Sequence, residues 1–199
     1  MDNIPKRFLE HIFYGRKKFI EKAITGNIDE KDIILETLRH NPVVVSYGPS
    51  GLNASVKGVG FVVKEELLKE TIKSLRDVAK NAKTQEERAK VLLEYIYNED
   101  RLDFFRMITL ELARRHTWEN VKNGSKITLL YIIPPMISFE VRCNVKIYTS
   151  GPYWEYANIL HDFYHAPEKL GKRGFPTYLL EIKEIYDNSV DAFGVRVYP

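Results

Sequence analysis

The chain has 199 residues, of which 44% are hydrophobic, 12% aromatic and 29% charged, and its formal net charge is +3. That is enough apolar material for a core, which excludes intrinsic disorder, and the charge is too mild to announce a nucleic-acid or anionic-membrane surface. One cysteine, Cys143, excludes an internal disulfide, and no Cys/His set has structural-zinc spacing, so a reduced, cytoplasmic protein is expected.

The N-terminal residues Met1 to Arg7 lack the apolar core of a secretory signal, and the uncharged stretch from Ile127 to Phe139 is too short to span a bilayer. Phe8, Ile12, Phe19 and Ala23 recur at helical spacing among Lys6, Arg7, Arg16, Lys17 and Lys18, which predicts an amphipathic helix from Pro5 to about Ile24 with a basic outer face. Asp29 caps a second helix to about Arg39. Pro42 to Tyr47 is a β-branched strand closed by Gly48-Pro49-Ser50-Gly51, and Leu52 to Val63 reads as one returning strand of a hairpin.

A helical pair follows between Lys64 and Tyr97, its second member opened by the capping box Thr84 to Glu87. A strand is expected from Phe104 to Leu112, a short helix from Arg115 to Asn123 with Thr117 as its N-cap, and a buried strand from Ile127 to Ile133. Ile137, Phe139, Val141, Cys143, Val145 and Ile147 alternate with polar residues, the period of a strand with one dry face. An aromatic helix containing Tyr153, Trp154, Tyr156, Phe163 and Tyr164 runs from Pro152 towards Pro167; a basic loop from Lys169, a strand around Tyr178 to Ile182 and an edge at Val195 and Val197 complete the chain.

Two clusters have chemical potential. Asn53, Ser55 and Lys57 project from one face of a strand whose continuation is Val59, Phe61 and Val63, a polar patch beside an apolar wall suited to a planar heteroaromatic ligand. Arg114, Arg115, His116 and Thr117 at the start of a short helix make an anion site; each cluster also has the plain reading of a solvated strand end or a capped helix. His161 and His165, four apart on a helix, lack the further ligands that zinc requires, and Cys143 on the dry face of its strand reads as core.

The segments NPVVVSYGPSGLNASVKGVGFV, RRHTWENVKNGSKITLLYIIPP and SFEVRCNVKIYTSGP resemble, in words and in order, the FMN-binding split-barrel superfamily of pyridoxamine 5'-phosphate oxidase-like and flavin reductase-like proteins. The resemblance implies an α+β, mainly antiparallel fold: a split β-barrel within a single domain over 1–199, with a helical N-terminal segment 5–40, a helical insertion 64–101 and a helix in the C-terminal half. It implies FMN as cofactor, with Asn53, Ser55, Val56 and Lys57 against the flavin ring and Arg115, His116, Thr117 and Asn120 at its phosphate. Lys57 would polarise flavin or substrate, no catalytic residue is assigned, and no metal is expected.

The implied activity is FMN-dependent oxidoreduction of a small-molecule substrate by a homodimer with flavin at its interface, without nucleic acid or membrane. The long insertion and the missing Arg-x-His substrate motif depart from the pyridoxamine phosphate enzymes themselves. Two alternatives stand beside this reading. One is a flavin-free binding or interaction module using the inserted helices and the aromatic helix, and the other is a relative that takes haem or a deazaflavin, with His161 or His165 as the haem ligand.

Overall fold

A computed structural model describes residues 3–81, 84–165, 170 and 174–199. Lys169, Lys172 and Arg173 of the expected basic loop lie outside the described residues. Helix α1 (Lys6–Leu9) continues through a π-helical turn, Glu10–Tyr14, into α2 (Gly15–Thr25), and α3 (Glu30–His40) follows. The capping box at the head of α3 is formed by Asp29 and Asp32, which bond each other's backbone N–H groups. After strands β1 (Val43–Gly48), β2 (Gly51–Val56) and β3 (Gly60–Val63) come α4 (Leu68–Asn81) and α5 (Gln85–Tyr95), the latter opened by the Thr84/Glu87 capping box. The remainder is β4 (Leu102–Leu110), α6 (His116–Val121), β5 (Lys126–Ile133), β6 (Ile137–Tyr148), α7 (Pro152–His165), β7 (Thr177–Asp187) and β8 (Val195–Tyr198).

All strand pairings are antiparallel, in the order β2-β1-β5-β6-β7-β4-β3, with β8 added to β7. The two outer strands, β2 and β3, do not pair with each other, so the sheet is open. This corrects the expected split β-barrel and the expectation of a mainly β protein: the chain is a mixed α+β fold with more helix than strand. The cause lies in the segment expected to be one strand from Leu52 to Val63. It breaks after Val56, and the two halves join opposite ends of the sheet. Between them the backbone bonds to loop and side-chain partners instead of a ladder: Lys57 N–H donates to the Pro42 carbonyl at 3.4 Å, Val59 N–H to the His40 carbonyl at 2.8 Å, and Thr109 Oγ1 to the Gly58 carbonyl at 2.7 Å. A Cβ on Gly58 would stand 2.8 Å from His40 Nε2, so the crossing needs a glycine at the point of closest approach.

The helices cover the sheet because their apolar stripes match its dry face. Phe8, fully buried, meets Phe61, Tyr131 and Phe139 edge to face with centroids 6.3, 5.9 and 5.3 Å apart, and Phe13 packs among Phe61, Phe104 and Tyr97. The aromatic helix is largely core: Tyr153, Tyr156 and Phe163 are buried, with α4 packed against α7. Among the described residues, no helix is long and apolar enough to cross a membrane.

Candidate functional site

A cavity of about 540 Å³ lies where the β2–β3 crossing meets the helices, within the range of small-molecule and cofactor sites. Ile12, Phe13, Phe61, Ile108, Leu110 and Leu160 make its apolar wall. Seven of the eight residues expected to hold a cofactor line it: Asn53, Ser55, Val56, Lys57, Arg115, His116 and Thr117. Asn120 does not. It clips α6 onto the β1–β2 turn, accepting from Ser50 N–H at 2.8 Å and donating to the Gly51 carbonyl at 2.8 Å and to Ser46 Oγ at 3.2 Å. Gly48 permits this approach, since a Cβ there would stand 2.9 Å from the Asn120 backbone.

The expected N-cap role of Thr117 is corrected. Arg115 is the N-cap residue and makes no side-chain cap bond, while Thr117 is buried inside the first turn. Thr117 Oγ1 instead accepts from Asn53 Nδ2 at 2.8 Å and shares a hydrogen bond with Ser55 Oγ at 2.9 Å, so these three polar groups satisfy one another across the gap between β2 and α6. Lys57, at the break after β2, donates to Glu111 Oε2 at 2.8 Å, and the same oxygen accepts from Tyr178 Oη at 2.8 Å. Glu111 Oε1 accepts from the backbone N–H groups of Arg114 and Ala113 at 2.8 and 3.1 Å. Burial alone would raise the Glu111 carboxyl, but these donors, Lys57 foremost, outweigh it and hold the pKa below the ordinary glutamate range. Tyr178 is pushed up by burial and by the Glu111 carboxylate, and Trp118 lies parallel to its ring with centroids 6.4 Å apart.

The other side of the cavity is built by α2, α3 and α7. Arg16 was expected on a solvated basic face, but it is buried, with Nε donating to Glu36 Oε1 at 2.9 Å and Nη1 to the Val59 carbonyl at 3.3 Å. His40, His161 and His165 also line the cavity, as does His116. The His161 and His165 rings stand one helical turn apart with centroids 4.9 Å from each other, and His161 Nδ1 lies 3.4 Å from Asp162 Oδ1. Burial, then the charge of Arg16 and the neighbouring His165, depress the pKa of His40 well below the ordinary imidazole value; burial and His161 lower that of His165. His116 and the α7 histidine pair were candidates in the sequence, whereas His40 and Glu111 escaped that reading because they reach the cavity through contacts between residues distant in sequence, and Glu36 because it stands behind Arg16. Cys143 is buried and its thiol is pushed up to about 12 by burial, as befits a core residue.

No known protein family matches the sequence, and no curated protein does. Two crystal structures of HupZ from Group A Streptococcus share a distant likeness of fold. The first, at 14% identity and a TM-score of 0.45, covers 77% of this chain and 89% of that one. The second, a histidine-to-alanine variant, gives 13% identity, a TM-score of 0.45, and coverage of 76% and 92%. The reading as a flavoprotein and FMN-dependent oxidoreductase is corrected by the structure. The sheet is not the split barrel that this reading supposed, and groups assigned to the flavin and its phosphate bond one another or a buried carboxylate.

Proposed function

We propose that this chain is a ligand-binding protein whose cavity takes haem or a like planar iron tetrapyrrole, with the axial imidazole supplied from α7 by His161 or His165. The observation that carries this is the donor set. Two imidazoles one turn apart face an apolar cavity, and among the described residues no group of three or more His, Cys, Asp or Glu could hold a bare metal ion. A zinc site needs three or four protein ligands, whereas a tetrapyrrole brings four nitrogens of its own and asks one or two of the protein. Burial, then the neighbouring His161, lowers the pKa of His165 and so favours the neutral ring, the form that ligates iron. Asn53, Ser55, Val56, Lys57, Arg115, His116 and Thr117 serve in this reading as the polar rim beside the ring system. A reduced, cytoplasmic setting is part of the same proposal, supported by the single, buried Cys143.

The test is a titration of the purified chain with hemin followed by gel filtration. Retention of a shifted Soret band is expected, along with its loss in the His161→Ala/His165→Ala double variant at unchanged circular dichroism. A wild-type protein that elutes colourless overturns the haem reading, and an unaltered spectrum in the double variant overturns the histidine assignment.

A homodimer is proposed through the outer face of the β1–β2 hairpin. Tyr47, Leu52 and Val56 are 74, 78 and 66% exposed there, and β2 is an edge strand with neither charge nor proline to blunt it. Val56 also lines the cavity, so a second copy on this face would border the site. Light scattering is expected to give a dimer for the wild type and a monomer for Leu52→Glu; a monomeric wild type overturns the proposal.

A further inference from the structure

Two cations are sunk in the cavity wall, each with a carboxylate of its own. Lys57 and Glu111 are tied into a network in which both carboxylate oxygens accept hydrogen bonds. Arg16 and Glu36 are not so complete. The Arg16 side chain is 8% exposed and its guanidinium engages a single oxygen of Glu36, while the second, Oε2, is buried without a partner. The Arg16 guanidinium carbon lies 5.6 Å from the centre of the Tyr97 ring, whose hydroxyl accepts from Tyr164 Oη at 3.3 Å. Arg16, Tyr97 and Tyr164 all line the cavity; Glu36 does not and stands behind them on α3.

A guanidinium stays charged in any environment and presents five donors in a planar fork, which matches a carboxylate gripped by two oxygens. One-oxygen contact with Glu36 leaves that capacity underused in a dry place where such a bond is strongest. We infer that Arg16 is a carboxylate-recognition residue of the cavity: the ligand carries a carboxylate on the edge that reaches deepest, and this group engages the guanidinium beside Tyr97 and Tyr164 in competition with Glu36. The inference rests on the tetrapyrrole reading for the identity of the ligand, whose propionates are such carboxylates, but not on iron or on the α7 histidines.

Metal-free protoporphyrin IX and its dimethyl ester separate the two ideas, because neither needs an axial ligand. Quenching of tryptophan fluorescence is expected to show the diacid binding about ten-fold or more tightly than the diester, about the factor that one charge-assisted contact supplies. Glu36→Gln, which keeps the shape of the side chain and removes the competing charge, is expected to tighten the diacid several-fold further and leave the diester unchanged, while Arg16→Lys narrows the preference. Equal affinity for diacid and diester, a preference undiminished in Arg16→Lys, or a Glu36→Gln variant that shifts both ligands alike would overturn the inference. Failure of the iron reading alone would show as hemin bound no more tightly than the metal-free diacid, with the diacid preference intact. Absence of binding by either porphyrin would overturn both.

Discussion

Replacing Glu111 by alanine tests whether the cavity wall is held by one compensated carboxylate. The side chain of Glu111 is 2% exposed and that of Lys57 10%, so removing the carboxylate strands an ammonium in a place water scarcely reaches. It also strips the acceptor from Tyr178 Oη and from the N–H groups of Ala113 and Arg114. Breaking a buried pair by deleting one partner costs roughly 3–5 kcal/mol, because the remaining charge keeps its desolvation penalty without its compensation. In a chain of this length each kcal/mol moves the midpoint by about 2–4 °C, so Glu111→Ala should melt roughly 6–20 °C below the wild type.

The double variant Lys57→Met/Glu111→Gln removes both charges while the amide oxygen still accepts the remaining donors, and it should recover most of that loss. The wild type carries a matching pH signature. The folded pKa of Glu111 lies below its ordinary 4.5, so the stabilisation is fully present above that value and drains away as pH falls through the depressed folded value. The Glu111→Gln variant should lack this acid-limb contribution. Thermal and urea denaturation followed by circular dichroism measure all three. A single variant within about 1 kcal/mol of wild type, or a double variant as unstable as the single, would refute the argument that the cost lies in the orphaned charge.

Two other substitutions probe the core. Phe8→Ala removes a fully buried ring that meets three aromatic partners and should destabilise by about 3–5 kcal/mol in urea titration; a loss under about 1 kcal/mol would mean that the first helix does not anchor the sheet. Cys143, 1% exposed with its thiol raised to about 12, should stay unreactive to a thiol reagent at pH 8 until denaturant is added; stoichiometric labelling of the native protein would contradict its burial.

Where a signal is local, the sequence already carried it. The alternation from Ile137 to Ile147 is β6, the Thr84/Glu87 pair opens α5, and Asp29 caps α3, each within a residue or two of expectation, because periodicity and capping act between near neighbours in the chain. The histidine pair on α7 was visible for the same reason. Arg16 was misread because a basic run on a helix looks solvated until a partner 20 residues away, Glu36, draws one member inward. Glu111 had no pattern to announce it, since its donors come from β7, from the turn before α6 and from the break after β2.

The misplaced strand and the shape of the cavity have one origin. Had Leu52 to Val63 continued as a single strand, its backbone would have been spent on a ladder and Lys57 would have projected from a regular face. Instead residues 57–59 cross from one end of the open sheet to the other, and their backbone groups bond to Pro42, His40 and Thr109. The crossing sets Lys57 against Glu111, brings the Val59 carbonyl to Arg16, and presses Gly58 against the His40 ring, so both compensated cations are fixed by the same three residues. An open sheet thus costs three residues of β-ladder and yields a walled space whose two buried cations are already compensated. A space of that kind selects by shape and apolar contact first, and by a ligand's carboxylate only where Glu36 yields Arg16.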